Sequence, residues 1–328
     1  MKNGLAVFAW DDGGGVNKIH HTIMAKTSVN WRHLYLNEKN ILNAFAKLYR
    51  KLSGGDFDVV FVGNGREALL AELAKRISFK KFRIVYVQHT PIEFSGRKSG
   101  LSAAFFRFLV KRQSVITISN ELHESLSTAL SIPSDAIELI YNPVLEAEDA
   151  DFLLPSHQNE PIRLLGVGRL STQKNFVFMI GLVRFLLDQG ISCELSIFGE
   201  GEDEHLLKEE IARLDLEDFV HLKGFSTEIH TEFASHDVFL LCSLWEGLPT
   251  VLIEALQYCP RVVAYQCPTG VAEILHEQPA TCVVSRLDHA SFKAAIEQVL
   301  SLHGPIQRKF KKYSVQRNIS KYQAIFDV

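Results

Sequence analysis

Two glutamates stand eight positions apart in the stretch SLWEGLPTVLIEALQYCP, which covers residues 243–260. A helix is predicted over TVLIEALQY, residues 250–258, and Pro249 suits the first turn of a helix. Glu246 then lies just before this helix, and Glu254 lies inside it. Each carboxylate can accept hydrogen bonds from sugar or ribose hydroxyls. The alternatives are a complement to the helix dipole for Glu246 and a salt bridge for Glu254, and this stretch alone leaves both open.

The start of the same helix is a candidate anion site, because the N–H groups of Leu248, Thr250 and Val251 can point towards an anion. Two basic residues stand at a second suitable place. Arg169 ends a predicted strand in VGRLSTQKN, and Lys174 stands at the start of the next helix. The arginine fork and the lysine point charge together suit a diphosphate. Two solvated surface charges are the alternative.

Glycines follow predicted strands at two further places. Gly13, Gly14 and Gly15 lie between the first strand and a helix, and Gly199 and Gly201 follow a later strand in FGEGE. A backbone without Cβ atoms lets a ligand approach closely, and a helix start offers N–H groups to an anion. A plain turn is the alternative in both places. The spacing is not G-x-G-x-x-G, so a dinucleotide cofactor is poorly supported.

His89 follows a strand predicted in the first half, at the kind of strand end where α/β proteins bind ligands. A lone histidine is more often a satisfied structural residue, so both interpretations stay open. The five cysteines all lie in the second half and form no C-x-x-C pair. We therefore expect reduced core cysteines of a cytosolic protein, and neither a disulfide framework nor a zinc site.

Alternating apolar strands and amphipathic helices would position these residues. Strands in the first half are predicted at 4–10, 57–63, 82–88 and 114–119. The alternation restarts after an acidic, irregular segment at 145–161, which is interpreted as a linker. Continuous apolar strands between helices predict parallel sheets covered on both faces. We predict an α/β protein with two Rossmann-like doubly wound domains, 1–150 and 151–328, facing a cleft, with the last helix crossing back to the first.

Several segments resemble the retaining glycosyltransferases of family 4, which have the GT-B fold. Glu246 and Glu254, with EGLP and EAL around them, carry this resemblance. GRLSTQKN is similar to the phosphate-binding motif of that family, FGEGE and HLKGF to its base-side loops, and CPTGVAEIL to the segment that closes its donor pocket. The second half matches nearly throughout. The first half matches in its glycine loop, in His89 and in YNPV, and the resemblance implies that it carries the acceptor site.

The resemblance implies transfer of a hexose or N-acetylhexosamine from a nucleotide sugar, most often a UDP-sugar. It implies that Arg169 and Lys174 hold the diphosphate, with help from the backbone of the glycine loop. It also implies that Glu246 orients the sugar hydroxyls, that Glu254 binds the ribose, and that His89 lies near the anomeric carbon and supports an oxocarbenium-like transition state.

The resemblance further implies that the loop around Gly224 and Phe225 borders the base. The departing phosphate would take the acceptor proton on the same face, so that the anomeric configuration is retained. No metal and no cofactor are implied, because fixed cations replace the metal. The alternatives are an inactive GT-B scaffold that binds sugar nucleotides, against which the intact candidate residues argue, and a GT-B nucleotide-sugar epimerase.

Positive charge is concentrated in residues 1–112, which contain 19 Lys/Arg and 8 Asp/Glu, whereas the whole chain has a formal net charge of −3. Two segments, 97–112 and 79–83, combine basic and aromatic residues. A core helix with solvated ends is one interpretation of 97–112, and a patch that docks on anionic lipid is the other.

No apolar run has the length of a transmembrane helix, and the first residues do not form a convincing signal peptide. We therefore expect a cytoplasmic enzyme that lies peripherally on the inner face of the cytoplasmic membrane. Its expected acceptor is a saccharide or lipid-linked saccharide in the synthesis of lipopolysaccharide, O-antigen or capsule. Nucleic acid is not expected as a partner.

Overall fold

The computed structural model describes residues 1–9, 15–89, 104, 107–108, 112–156 and 161–328. The chain forms two compact units. The first comprises Met1–Glu146 and Lys312–Val328, and the second comprises Ala147–Lys311. Each unit contains a six-stranded parallel sheet with helices between the strands. The predicted class, α/β with two Rossmann-like doubly wound domains, is therefore confirmed.

The first unit is built on a sheet with the strand order β2-β1-β3-β4-β5-β6. Its strands are β1 (Asn3–Phe8), β2 (Asn30–Tyr35), β3 (Val59–Val62), β4 (Arg83–Gln88), β5 (Ser114–Thr117) and β6 (Glu138–Leu139). Its helices up to this point are α1 (Gly15–Lys26), α2 (Ile41–Ser53), α3 (Gly65–Ser78) and α4 (Asn120–Leu130). The central strand β3 has the sequence VVFV and is buried at all four positions, as expected for a strand covered on both faces.

Helix α2 shows how local sequence sets an element. The Asn40 side chain caps the helix by accepting a hydrogen bond from the N–H of Leu42 at 2.8 Å, which satisfies one of the donors left open at a helix start. Ala44, Leu48 and Leu52 follow at intervals of four residues and are all buried. This single apolar stripe fixes the face of α2 that packs on the core.

The second unit has the strand order β10-β9-β8-β11-β12-β13. Its parallel strands are β8 (Ile162–Val167), β9 (Cys193–Phe198), β10 (Val220–Gly224), β11 (Val238–Leu241), β12 (Val262–Tyr265) and β13 (Thr281–Val284). Its helices are α5 (Phe176–Asp188), α6 (Glu204–Arg213), α7 (Ile229–Ser235), α8 (Thr250–Tyr258), α9 (Val271–Leu275) and α10 (His289–Leu300). The order changes direction between β8 and β11, and such a switch point is where α/β sheets bind ligands at their carboxyl edge.

The interpretation of 145–161 as an irregular linker is wrong for residues 149–154. Strand β7 (Asp149–Leu154) pairs antiparallel with β14 (Gly304–Lys309). The buried guanidinium of Arg308 lies 4.9 Å from the ring centroid of Phe152 and donates to the carbonyls of Cys259 and Pro260, both at 2.6 Å. Strand β7 was not predicted, because acidic residues interrupt its apolar alternation and its partner strand is about 150 residues away.

Helix α11 (Val315–Asp327) belongs to the first unit. Phe326 packs on Trp31 and Phe61, with ring centroids 5.1 and 5.7 Å apart. The edge strand β2, which contains Trp31, was not predicted, because its half-exposed residues lack a continuous apolar run. The segment 97–112, for which a core helix is one interpretation, lies largely outside the described residues.

Candidate active site

The loops after the strands of the second unit bring most predicted donor-binding residues to one edge of its sheet. Arg169 follows β8, Gly199 and Gly201 follow β9, Gly224 ends β10, and Glu246 follows β11. Because all these strands run parallel, their carboxyl ends meet at the same edge. The switch point between β8 and β11 therefore lies next to the loops that carry Arg169 and Glu246.

Lys174 and Glu246 form a direct ion pair at this edge. The Nζ atom of Lys174 lies 2.6 Å from Oε1 of Glu246, and the two side chains are only 16% and 9% exposed. The Lys174 stem also runs beside Gly168, where a Cβ atom would lie 3.1 Å from Lys174 Cε. From the sequence, Lys174 and Glu246 were predicted to bind different parts of a donor. The structure joins their side chains in one largely buried ion pair.

Hydrogen bonds tie the loop before α5 to the loop after β11. Gln173 Nε2 donates to the Trp245 carbonyl at 2.8 Å, and the Leu244 N–H donates to the Gln173 carbonyl at 2.8 Å. Asn175 Nδ2 donates to the Cys242 carbonyl at 3.3 Å. These hydrogen bonds fix the positions of Lys174 and Glu246 relative to each other. Sequence reasoning missed Gln173 and Asn175, although both lie in the quoted motif GRLSTQKN.

The loop before α9 supports Glu246 from another direction. The Thr269 hydroxyl donates to the Glu246 carbonyl, and the Glu246 N–H donates to the Pro268 carbonyl at 3.3 Å. A Cβ atom on Gly270, which has φ of 85°, would lie 2.8 Å from the Gly247 carbonyl oxygen. The segment CPTGVAEIL therefore packs on the EGLP loop, and Thr269 is a further supporting residue that the sequence did not single out.

Gly199 and Gly201 allow two loops to pack tightly on each other. A Cβ atom on Gly199 would lie 1.8 Å from the Gly168 carbonyl oxygen, and one on Gly201 would lie 2.2 Å from that of Leu170. The Leu170 N–H also donates to the Glu200 carbonyl at 2.9 Å. Close packing of the two loops thus requires both glycines, whether or not the backbone also meets a ligand.

The helix predicted over 250–258 in the opening stretch is confirmed, although Pro249 is not part of its first turn. Helix α8 starts at Thr250, and Pro249 is its cap residue rather than part of its first turn. Proline has no side-chain group that could cap the helix, so the cap makes no side-chain hydrogen bond. Leu248 is buried, whereas Val251 and Glu254 are half-buried. Glu254 therefore stays on the partly accessible side of α8.

Two of the residues expected near the base and the diphosphate lie at the surface of the second unit. Arg169 is exposed, and Phe225 is 69% exposed. Gly224 has φ of 70°, and a Cβ atom there would meet nothing within 4 Å. This glycine is thus required by its backbone conformation and not by a close neighbour.

Two histidines of the first unit are in contact. His89 directly follows β4, and its Nε2 atom lies 2.9 Å from Nε2 of His20 in α1. Both side chains are buried, being 8% and 2% exposed. Gly15 is the first residue of α1 and is exposed, while Gly13 and Gly14 lie outside the described residues. Sequence reasoning missed His20, which no motif distinguishes from its neighbour His21.

Burial keeps both imidazoles neutral. It lowers the pKa of His89 from 6.5 to about 4. The pKa of His20 is also lowered, chiefly by burial and further by the nearby His89 and His21. At neutral pH the pair therefore acts through hydrogen bonds and not through positive charge.

The described residues were also compared with the requirements of disulfides, metal sites and membrane-spanning helices. All five cysteines are free, and four of them are buried. Within the described residues, no three or more His, Cys, Asp or Glu side chains are grouped so that they could hold a metal ion. Among the helices of that same part, none is sufficiently long and apolar to cross a membrane.

Comparison with protein families decides what kind of chain this is. The model of the glycosyl transferases group 1 family matches residues 152–317, just over half of the chain. The chain belongs to this family. A model of Glycosyltransferase Family 4 matches residues 7–146. Together the two matches confirm the resemblance to family 4 glycosyltransferases that the sequence motifs indicated.

Individual proteins agree with this assignment. The amylovoran biosynthesis glycosyltransferase AmsD of Erwinia amylovora is 28% identical over 244 residues, which cover 74% of this chain and 68% of AmsD. A Campylobacter jejuni transferase named for adding N-acetylgalactosamine to a diphospho-undecaprenol-linked saccharide is 27% identical over 78% of this chain and 70% of its own.

A solved structure shows the fold. Anabaena HepE, in complex with UDP and glucose, superposes with a TM-score of 0.72 at 16% identity and covers 100% of this chain and 95% of its own. This likeness and the two parallel-sheet units confirm the predicted GT-B fold.

Proposed function

We propose that this protein is a retaining, metal-independent glycosyltransferase that moves a hexose or N-acetylhexosamine from a UDP-sugar to a saccharide of the bacterial cell envelope. The observation that carries the proposal is the Lys174–Glu246 pair, with 2.6 Å between Nζ and Oε1, at the switch-point edge of the second unit. It places a fixed cation and a fixed carboxylate within one hydrogen bond of each other. A diphosphate joined to a sugar presents groups that complement both.

The pair can serve two parts of the donor at once. An ammonium group has three donors, so Lys174 can give one hydrogen bond to Glu246 and another to a diphosphate oxygen. The second carboxylate oxygen of Glu246 can accept from a sugar hydroxyl. Arg169 adds a planar fork for the diphosphate, and Glu254 accepts from the ribose hydroxyls.

The backbone completes the proposed donor site. The N–H groups at the start of α8, at Leu248, Thr250 and Val251, face the diphosphate, and Gly224 and Phe225 border the base.

Charge development explains why no metal is required in this proposal. Arg169 and Lys174 lie where the leaving diphosphate gains negative charge, and fixed cations stabilise such charge without reorganisation. The departing phosphate oxygen takes the proton of the acceptor hydroxyl on the same face of the sugar, so the anomeric configuration is retained. His89 is neutral, and a neutral imidazole does not oppose the positive charge of an oxocarbenium-like transition state.

A donor panel tests the proposal. Purified protein is incubated with UDP-, GDP- and ADP-sugars and oligosaccharide acceptors, with and without EDTA, and products are analysed by mass spectrometry and NMR. We expect release of UDP from one UDP-sugar, insensitivity to EDTA, and a product with the anomeric configuration of the donor. Epimerised nucleotide sugar would identify an epimerase instead. Binding without turnover across the whole panel would identify an inactive sugar-nucleotide-binding protein.

The acceptor is proposed to be lipid-linked, as in lipopolysaccharide, O-antigen or capsule synthesis. AmsD is named for the synthesis of amylovoran, and the Campylobacter enzyme is named for a diphospho-undecaprenol-linked acceptor. An enzyme with such an acceptor must work at a membrane surface. We therefore propose that the protein acts in the cytoplasm, peripherally on the inner face of the membrane.

The described residues supply one surface suited to this location. Most of the basic segment 97–112 lies outside them, but Leu73, Ile77 and Phe79 are 42%, 54% and 90% exposed. Phe79 has φ of 54°, an uncommon conformation for a bulky residue, and its ring lies almost wholly in solvent. Lys80 and Lys81 follow directly and complement anionic lipid. These five residues, named the Phe79 surface, precede β4 at the sheet edge opposite His89, so they would anchor the unit without forming its catalytic site.

A further inference from the structure

One ring nitrogen of the buried His89 side chain lacks a hydrogen-bond partner among the described residues. Its Nε2 atom is paired with His20, but its Nδ1 atom is buried and has no hydrogen-bond partner among the described residues. A buried polar atom without a partner costs free energy, and native proteins usually avoid it. An unpaired atom on a residue that follows a strand at the carboxyl edge therefore indicates a ligand group that pairs with it.

The fold makes room for this pair of rings. His20 packs on Phe61, with ring centroids 4.6 Å apart, and its ring meets the His89 ring at an interplanar angle of 50°. Gly63 follows β3, the strand beside β4, and a Cβ atom there would lie 2.4 Å from Cε1 of His20. Even an alanine at this position would displace the His20 ring. The position of His20 thus depends on two adjacent strands and not only on its own helix.

The count of donors and acceptors in the pair favours one tautomer of His89. Two neutral imidazoles that meet through their Nε2 atoms share one proton, so one ring donates and the other accepts. If His20 donated, His89 would carry its proton on Nδ1, which would be a buried N–H without an acceptor. If His89 donates, Nδ1 is only an unfilled acceptor. Orphaned buried N–H groups are the rarer of the two in native structures.

We propose that His20 is a positioning residue: it accepts the Nε2–H of His89 and so holds that ring with Nδ1 presented as a hydrogen-bond acceptor for a sugar hydroxyl. The proposal rests on the proposed glycosyl transfer for the identity of the ligand. The pairing itself does not depend on that function. His21, the next residue of α1, stacks on Phe8 and His33 and takes no part in the His20–His89 hydrogen bond.

Side-chain NMR tests the pairing without any substrate. Long-range proton–nitrogen correlation of protein labelled with ¹⁵N-histidine distinguishes the two neutral tautomers, and loss of one signal set in His89→Gln assigns His89. We expect wild-type His89 to be the Nε2–H tautomer. His20→Phe, which keeps a ring but no acceptor, should give a mixture of tautomers. Gly63→Ala should do the same although His20 is still present, and His21→Phe should change nothing at His89.

Kinetics test the consequence, using the UDP-sugar that the donor panel identifies. His20→Phe should lower kcat about 10- to 100-fold, the range for one misdirected hydrogen bond, while KM changes much less. His20→Gln retains a carbonyl acceptor and should recover most of that loss, and His21→Phe should retain wild-type kcat.

The outcomes separate the two proposals. An Nδ1–H tautomer in wild-type protein, or equal loss of kcat in His20→Phe and His20→Gln, would overturn the positioning role. Should His20→Phe fail to fold, the tautomer of His89 in Gly63→Ala and His20→Gln decides the question. The expected tautomers without any transfer activity would instead leave the pair intact and refute the proposed function.

Discussion

At the scale of single residues, the Lys174–Glu246 pair predicts two separable effects. Glu246→Ala removes a preorganised partner of the sugar and should lower turnover by about 10²–10³. It also leaves a largely buried Lys174 without its carboxylate, which should lower the free energy of unfolding by about 3–5 kcal/mol. Steady-state kinetics and urea denaturation measure the two quantities. A variant with more than about a tenth of wild-type turnover would remove Glu246 from the catalytic residues.

A double variant controls for stability. Lys174→Met combined with Glu246→Leu replaces the pair with apolar side chains of similar size, which is often neutral for stability. We expect it to unfold near the wild-type denaturant concentration and to remain inactive. Recovery of activity along with stability would show that the pair is only structural.

Arg169 and Lys174 should dominate the affinity for UDP. A hydrogen bond to a charged group contributes about 1.5–3 kcal/mol, so Arg169→Gln and Lys174→Met should each weaken UDP binding about 10- to 100-fold. Isothermal titration calorimetry measures this directly. Lys208→Met is a suitable control, because Lys208 makes an exposed ion pair with Glu204 on α6. Unchanged affinity in both site variants would place the diphosphate elsewhere.

The buried histidines predict a loss of stability in acid. The pKa of His89 is about 4 in the folded protein and 6.5 as its ordinary value, so below pH 6.5 the unfolded chain binds a proton that the folded chain does not. Its contribution is therefore complete above pH 6.5 and is lost as pH falls towards 4, by at most about 1.4 kcal/mol per pH unit. His20 acts in the same direction. Urea denaturation at several pH values should show a steeper loss in wild type than in His89→Gln, and parallel curves would contradict the assignment.

At the scale of elements, the apposed loops after β8 and β9 should tolerate no side chain at their contact. A Cβ atom at Gly201 would lie 2.2 Å from the Leu170 carbonyl oxygen, whereas one at Gly190, with φ of 74°, would meet nothing within 4 Å. Gly190→Ala therefore reports backbone strain alone, about 1 kcal/mol. We expect Gly201→Ala to lower the melting temperature further and to weaken UDP binding, which Gly190→Ala should leave unchanged. Equal effects would mean that the loops can separate without consequence.

At the scale of the whole molecule, the Phe79 surface predicts binding to anionic vesicles. Removing two charges in Lys80→Gln with Lys81→Gln should cost about 2 kcal/mol, roughly 30-fold in partition, and Phe79→Asp should weaken binding further. Vesicle flotation at low and high salt measures both. Leu153→Asp is the matched control, because Leu153 is 79% exposed on the other unit. Equal partition to neutral and anionic vesicles, or to neither, would rule out electrostatic docking.

The sequence by itself determined the fold class and the identity of most candidate residues. Runs such as VVFV in β3 and VFLL in β11 are apolar at every position, and that pattern is typical of strands buried on both faces. The motifs of the second half are equally local, since a helix start, a glycine turn and a basic residue after a strand each occupy only a few neighbouring positions.

Tertiary structure alone decided which of these residues meet. Lys174 and Glu246 are 72 positions apart, and His20 and His89 are 69 apart. No periodicity indicates such pairs, because strand order and side-chain direction decide them, and both emerge only when the sheet assembles. The same reason explains why the antiparallel pair of β7 and β14 was not predicted. Neither strand has a strong apolar pattern of its own, and the two are stabilised by pairing with each other and by the hydrogen bonds of the buried Arg308 guanidinium. Local patterns thus specify elements, whereas a site made of distant residues exists only once the chain has closed around it.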